Sequence, residues 1–340
     1  MFETIIRPDL LDSKSYQSTA IQEESLALHL NESSFQRTLP NIDLALNRYP
    51  RTMIKVRQEF AKFYGIKDNQ IQITASSDEG INLLIRLCCR AGVDSILVNT
   101  PAFPMYAGYA KFQGASVISV PLIEADNFAL DLKGITEKIF PTTKLIFICS
   151  PNNPTGTLAD TEAIIQLAKT SPNTLVVVDE AYIEFSELGS LTPLIDEYPN
   201  IVILRTLSKA HALAGIRFGA ILGNANLIQY CLAISSPFPI STPTLAAAEY
   251  AITDAQWKKT QAEIAIIQTE RSRLLALCKS LPLFTKVYPS QANFLYLECP
   301  QAAEFTARCA EHGILIKNMQ NAVRITISTP QQNQRWIELC

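Results

Sequence analysis

Lys209 follows the apolar run IVILR and two small hydroxyl residues, Thr206 and Ser208. A lysine withdrawn from water loses its charge more readily and becomes a nucleophilic amine able to form a Schiff base. Arg217 lies eight residues on, and hydroxyls with a guanidinium make a phosphate cradle. SSDEG supplies a second half of such a cradle. Its Ser76 and Glu79 fit the S-x-x-E capping box, so a helix starts there, and the unpaired N–H groups of a first helical turn bind phosphate. Asp179 closes the apolar strand LVVVD. A carboxylate in that place needs a cationic partner or several donors, and a protonated heterocyclic nitrogen would serve. Tyr182, three residues further, presents a hydroxyl, and Asn153 in PNNPTG an amide. Phe103 in PAFPMY offers a ring face for stacking.

Taken singly, most of these have a plainer use that is as common or commoner. Lys209 would be a solvated side chain, Arg217 a surface or ion-pair residue, SSDEG a plain helix cap and Asp179 a cap or ion-pair carboxylate. Asn153 would be a turn residue and Phe103 ordinary core. Taken together they describe the needs of pyridoxal 5'-phosphate. A lysine carries the aldehyde, an aspartate keeps the ring nitrogen protonated so that the ring draws electrons, and a phosphate cradle anchors the ring.

The elements that must position these groups are legible. Strands are expected at Ile71–Ala75, Ser95–Asn99, Ser116–Val120, Lys144–Cys149, Thr174–Asp179, Ile201–Arg205 and Phe218–Leu222, with helices such as Gly80–Arg90 and Thr161–Lys169 between them. Strands alternating with helices imply a mostly parallel sheet covered on both faces. Runs such as LIFIC and LVVV do not alternate, as befits strands buried on both sides. Ligands of such sheets bind beyond the carboxyl ends of the strands, and five of these strand ends carry polar or aromatic clusters. A long helix is expected over Asp254–Ser280, then a strand–helix–strand tail with a helix around Ala302–His312. The first 50 residues are Pro/Asn-punctuated with little core-forming pattern, and are expected to pack across another subunit.

Composition excludes other classes. The chain has 340 residues, 48% apolar and 18% charged, which suits about two domains with a sizeable core. Lys plus Arg is 29 against 32 Asp plus Glu, a net charge of −3, which argues against nucleic-acid binding. No apolar stretch approaches ~18 residues, so no membrane helix is expected, and MFETIIRPDLLDSK lacks an apolar signal core; the expected location is the cytoplasm. The eight cysteines form no C-x-x-C pair and the three histidines are scattered, so no metal site is expected, and cysteines in apolar surroundings such as Cys88, Cys89 and Cys149 read as buried thiols.

The set PNNPTG, DEAY and SK-x(7)-R resembles the fold-type I pyridoxal-phosphate aminotransferases. DEAYIEF, RTLSKAHALAGIR, RYPR, SSPFPISTP and the early Tyr16-Gln17-Ser18 are similar to the histidinol-phosphate aminotransferase family, over roughly residues 7–329. The resemblance implies that Lys209 binds the cofactor aldehyde and then moves a proton, and that Asp179 pairs with the ring nitrogen. Tyr182 and Asn153 would hold the ring 3-oxygen, and Phe103 would stack on the ring where the family usually has Tyr. The backbone at Ser77 and Asp78, with Ser208, Arg217 and the assistance of Thr206, would hold the phosphate. Arg324 in VRITIS would bind the anionic end of the substrate, since its planar fork suits phosphate and carboxylate alike. Tyr16 and Tyr49 match tyrosines that reach the active site across a dimer interface, and Asn31 in LHLNES matches a segment near the substrate. Departures from the pattern are Ser34 for a usual Pro, His211 for a common Phe, and the missing hydroxyl of Phe103.

The expected architecture is therefore a three-layer α/β fold of the pyridoxal-phosphate transferase kind. It has an N-terminal segment (1–50) that joins the small domain and the dimer partner, a large cofactor domain with the mostly parallel sheet (51–255) and a smaller α+β domain (256–340). The expected activity is transamination of L-histidinol phosphate with 2-oxoglutarate by a homodimer. Two other reactions on the same fold compete with it: aromatic-amino-acid transamination and decarboxylation of an O-phospho amino acid. A non-catalytic cofactor-binding protein is a further alternative, opposed by the joint presence of Lys209, Asp179, Tyr182 and Arg217.

Overall fold

The computed structural model describes Leu10 and residues 25–39 and 44–340. Seven strands form one large sheet: β1 (Ile71–Thr74), β2 (Ser95–Thr100), β3 (Ser116–Pro121), β4 (Thr143–Cys149), β5 (Leu175–Asp179), β6 (Ile201–Thr206) and β7 (Gly219–Leu222). Their spatial order is β1-β7-β6-β5-β4-β2-β3. Neighbours from β6 to β3 are parallel, whereas β7 runs antiparallel to both β1 and β6. The mostly parallel sheet expected from the sequence is present, with one strand reversed. Because β7 alone is reversed, the other six strands all end at one edge, and β7 begins there.

The central strands are buried on both faces. Val176, Val177 and Val178 of β5 are wholly inaccessible, as are Ile201 to Leu204 of β6. Full burial of each such side chain contributes roughly 1.5–3 kcal/mol. Helices α1 (Met53–Tyr64), α2 (Ser77–Cys88), α3 (Met105–Gln113), α4 (Leu132–Glu137), α5 (Thr161–Thr170), α6 (Ala225–Ile234) and α7 (Thr242–Ala251) accompany the sheet. Two separate apolar clusters result. One holds α1, α5 and α7 residues such as Phe60, Ile164 and Leu245, and the other holds α2, α3 and α6 residues such as Ile81, Tyr106 and Ile228. The sheet thus lies between two helical layers.

Helix α8 (Asp254–Cys278) leads to a second sheet of β8 (Lys286–Val287), β9 (Phe294–Glu298), β10 (Lys317–Asn318) and β11 (Ala322–Thr326), with α9 (Ala302–Glu311) and α10 (Pro330–Ile337). All three pairings in this sheet, ordered β10-β11-β9-β8, are antiparallel. Part of the N-terminal stretch is core of this smaller unit, despite its weak core-forming pattern. Leu26–Ala27 pairs in parallel with Ile314–Leu315, and Leu26 and Leu28 are buried among Phe294, Leu295 and Ile325. Thr326 donates its backbone N–H to the Leu28 carbonyl, which continues the stretch along β11. Two strand residues are too few to show periodicity, so the sequence alone hid this.

Buried ion pairs lock the surroundings of the sheet edge. Arg205 on β6 reaches Glu180 at 3.3 Å and Glu184 at 2.8 Å, with its guanidinium 4.8 Å from the Tyr64 ring centre. Arg271 on α8 donates to the Phe185 carbonyl at 2.8 Å and the Ala292 carbonyl at 3.1 Å, joining the second sheet's helix to the segment after β5.

Candidate active site

The carboxyl edge of the large sheet gathers most of the residues that the sequence singles out. Gly219 opens β7 directly opposite Thr74 of β1 and Thr206 of β6. A Cβ on Gly219 would lie 2.5 Å from the Ser76 carbonyl carbon and the Ser77 nitrogen, so only glycine lets β7 approach the start of α2 this closely. Ser76 caps α2, its hydroxyl accepting from the Glu79 N–H at 3.5 Å, at a φ of 114°. The return bond of the expected capping box goes elsewhere, because the Glu79 carboxylate accepts from the N–H of Ala75 rather than of Ser76. Ser77 and Asp78 therefore form the first turn of a 12-residue helix aimed at the sheet edge.

Thr206 and Ser208 are buried beside this turn. The Thr206 hydroxyl meets the Ser208 hydroxyl at 2.9 Å and the Phe218 carbonyl at 3.1 Å, and accepts the Ser208 N–H at 3.2 Å. Arg217 has a left-handed backbone (φ 55°), is exposed, and donates to the Ala214 carbonyl at 3.0 Å. The backbone of Asp78 has an expected part in the phosphate cradle, but its side chain has none from sequence. Its Oδ2 accepts the Tyr109 hydroxyl at 2.7 Å.

Lys209 sits three residues past β6, with Nζ 2.9 Å from the Leu30 carbonyl and 5.8 Å from the Tyr182 ring centre. Burial, helped by the charges of Arg324 and Arg217, lowers its pKa to about 8, against the opposing pull of Glu32 and Asp179. Asp179 is 4% exposed. Its Oδ2 accepts the Tyr106 hydroxyl at 2.7 Å and its Oδ1 the Ala181 N–H at 3.2 Å. The several donors are thus present, while no cation among the described residues touches this carboxylate. Burial raises its pKa to about 6, with the two donors pulling the other way.

Tyr182 is buried and its hydroxyl accepts from Asn31 Nδ2 at 3.1 Å. Burial holds that phenol above its ordinary range, hence neutral. Asn153 Oδ1 accepts from Arg324 Nη1 at 2.5 Å, and Arg324 Nη2 donates to the His29 carbonyl. Asn31 is fixed in turn by Thr326 and by Asn293, whose amide donates to the Asn31 carbonyl at 3.2 Å. The N-terminal stretch and β11 of the second sheet are therefore hydrogen-bonded to the loops at the first sheet's edge. Phe103 is half-buried and presents its ring edge-on to Tyr106, 5.7 Å between centres. Tyr49 is not in this set: it is 74% exposed and stacks on Phe238 at 4.3 Å. Tyr16 lies outside the described residues. Sequence reasoning does not reach Tyr106, Tyr109, Asn293 or the Leu30 carbonyl; the first lies in PAFPMY, where Phe103 is the more obvious stacking ring.

The family model for aminotransferase class I and II matches residues 37–339. The chain is a class I and II aminotransferase. Within that family it belongs with the histidinol-phosphate aminotransferases. It is 39% identical over 321 residues to histidinol-phosphate aminotransferase 2 of Idiomarina loihiensis, covering 92% of this chain and 89% of that protein. It is 38% identical over 345 residues to the histidinol-phosphate aminotransferase of Xylella fastidiosa, covering 98% and 94%. Among solved structures, the aminotransferase superposes on a putative histidinol-phosphate aminotransferase from Erwinia carotovora atroseptica with TM-score 0.83 and 25% identity, covering 95% and 97%. An L-threonine-O-3-phosphate decarboxylase from Porphyromonas gingivalis shares the fold at TM-score 0.75 and 23% identity, covering 86% and 90%. The aminotransferase fold is therefore common to different reactions, and the substrate must be argued from the site.

Proposed function

We propose that this aminotransferase, with pyridoxal 5'-phosphate as its cofactor, moves the amino group of L-histidinol phosphate to 2-oxoglutarate, giving imidazole-acetol phosphate and L-glutamate. The observation that carries the reading is the convergence of Lys209, Asp179 and Arg324 at one sheet edge, in a chain 38–39% identical over nearly its whole length to enzymes named for that reaction.

The residues present fit the cofactor. A lysine lowered to about 8 is roughly one-tenth free amine at pH 7, which suits attack on an aldehyde. A buried carboxylate held by neutral donors suits a cationic ring nitrogen. The first turn of α2, beside two buried hydroxyls and Arg217, suits a phosphate. When bound, the cofactor supplies an aldehyde carbon that carries the amino group and a ring that draws electrons from the substrate's Cα.

In this reading Lys209 Nζ would be the group that holds the cofactor's aldehyde carbon, and as a free amine it would be the base that takes a proton from the substrate Cα and gives it back. The Asp179 carboxylate would hold the ring-nitrogen proton. Tyr182 and Asn153 would orient the ring 3-oxygen, and Phe103 would cover a ring face. The Ser77 and Asp78 backbone, with Ser208, Arg217 and Thr206, would hold the phosphate. Arg324, steadied by Asn153 and the His29 carbonyl, binds the phosphate of histidinol phosphate in one half-reaction and a carboxylate of glutamate in the other. Asn31, bonded to Tyr182, borders the substrate. The reading includes a cytoplasmic homodimer in which Tyr49 meets the partner's site. Exposed Tyr49, Leu46, Ile54 and Tyr230 support it, since each leaves most of an apolar side chain uncovered in one chain.

The phosphate assignment is tested by comparing kcat/KM for L-histidinol phosphate and for L-histidinol. Loss of a charge-assisted contact costs roughly 1.5–3 kcal/mol, so histidinol is expected to be at least about tenfold poorer, with the gap closing in Arg324→Met. Equal use of both donors by the wild-type protein would overturn the assignment.

A further inference from the structure

Helix α3 carries two tyrosines three residues apart, on one face. Each donates its hydroxyl to a carboxylate of the candidate site: Tyr106 to Asp179 Oδ2 at 2.7 Å, and Tyr109 to Asp78 Oδ2 at 2.7 Å. Tyr106 is the more tightly fixed. It is 1% exposed, its ring stacks on Phe147 with centres 4.8 Å apart and planes 13° apart, and Phe103 meets it edge-on. The hydroxyl therefore has one orientation set by packing rather than by solvent.

We propose that Tyr106 is a positioning residue for Asp179: its hydroxyl fixes the plane of the carboxylate and keeps it ionised, so that the carboxylate can hold the proton of the cofactor's ring nitrogen. This rests on the cofactor reading above. The titratable groups around Asp179 are Tyr106 on α3, Cys149 opposite it on β4, Asp78 on α2, Tyr182, and Lys209. Cys149 and Tyr182 are kept neutral by burial, and Asp78 disfavours the charge on Asp179. Lys209 is the one cationic group acting on Asp179 among these, and it must give up its charge to do its own chemistry. Tyr106 is therefore the side-chain donor that sustains the charge throughout. Burial pushes its own phenol well above the ordinary range, so it remains a donor at every working pH. Each carboxylate oxygen accepts more than one hydrogen bond, so both donors leave acceptor capacity for the ring nitrogen.

The test is Tyr106→Phe, which keeps the ring stack and removes the hydroxyl. In the cofactor-free protein the Asp179 carboxyl stretch is followed by infrared difference spectroscopy against pH, with Asp179→Asn as the blank. The titration is expected to move up by about one pH unit, a tenfold change worth about 1.4 kcal/mol. Affinity for pyridoxal 5'-phosphate, measured by equilibrium dialysis, is expected to fall about tenfold in the wild-type background and less than about twofold in Asp179→Asn. In the loaded enzyme kcat is expected to fall with the donor's KM nearly unchanged. An unmoved titration, or an equal loss of affinity in the Asp179→Asn background, would mean that Tyr106 only packs, and would overturn the proposal. The infrared and dialysis arms need no amino donor, so they decide the role of Tyr106 even if the substrate assignment fails. A wild-type protein that binds no cofactor would overturn both.

Discussion

Replacing the buried Asp179 by Asn should stabilise the cofactor-free protein while removing its activity. The carboxyl titrates at about 6 in the fold against an ordinary 3.8, a rise of about two units caused first by burial. The folded chain therefore binds this proton more tightly than the unfolded chain does. Stability is highest below pH 4, falls as the pH climbs through 4 to 6, and is flat above. Integrating over the two values gives a penalty of about 3 kcal/mol at pH 7.5 and about 1 kcal/mol at pH 4.5. Asparagine never ionises. It keeps the Ala181 N–H as donor to its oxygen, and its amide can donate to the Tyr106 hydroxyl, which accepts as readily as it gives. Urea unfolding of the cofactor-free proteins should place the Asn variant ahead by up to about 3 kcal/mol at pH 7.5, with the gap shrinking to about 1 kcal/mol at pH 4.5. Adding the cofactor should stabilise the wild type more than the variant, since only the carboxylate pairs with a cationic ring nitrogen. An Asn variant that is less stable at pH 7.5, or a gap that ignores pH, would refute the reasoning.

Other outcomes follow from the same geometry. The rate at which the cofactor-free protein takes up pyridoxal 5'-phosphate should rise about tenfold per pH unit and level off near pH 8, where Lys209 is half deprotonated; stopped-flow absorbance reads it, and a slope that continues to pH 10 would deny the lowered pKa. Gly219→Ala should weaken cofactor affinity at least about tenfold, because the new Cβ would collide with the Ser76–Ser77 backbone at 2.5 Å; dialysis measures it, and unchanged affinity would separate this turn from the phosphate seat. Arg205→Met should cost about 3–5 kcal/mol in denaturant unfolding, because it leaves Glu180 and Glu184 buried without their cation, and a loss under about 1 kcal/mol would contradict that account.

The parts of this architecture legible in the sequence were those set by local pattern. LIFIC and LVVV announced strands buried on both faces, and the observed β4 and β5 lie within one residue of the expected bounds. The reversal of β7 was not legible, since GAIL reads the same in either direction and its orientation is set by where the preceding loop delivers it. The same limit applied at the site. Lys209, Asp179 and Asn153 stood out because each closes or follows a strand in a chemically odd segment, and Arg217 because it lies eight residues beyond Lys209. Tyr106 did not, because its meaning lies in Asp179, 73 residues away in sequence, and Phe103 beside it looked the better aromatic. Asn31 was placed near the substrate by resemblance alone, and its bond to Tyr182 spans 151 residues. Ser34, where the family usually has Pro, turns out to share a hydrogen bond with Ser328 beyond β11, a contact that a proline could not make.

The most direct test of the central claim is one half-reaction. The cofactor-loaded protein is mixed with L-histidinol phosphate in the absence of any keto acid, and its visible absorbance is followed, with L-phenylalanine and L-tyrosine as parallel donors. The account predicts that histidinol phosphate bleaches the band fastest, that 2-oxoglutarate restores it, and that Lys209→Ala shows neither change. Faster bleaching by the aromatic amino acids would contradict the proposed substrate, and no bleaching by any donor would contradict transamination itself.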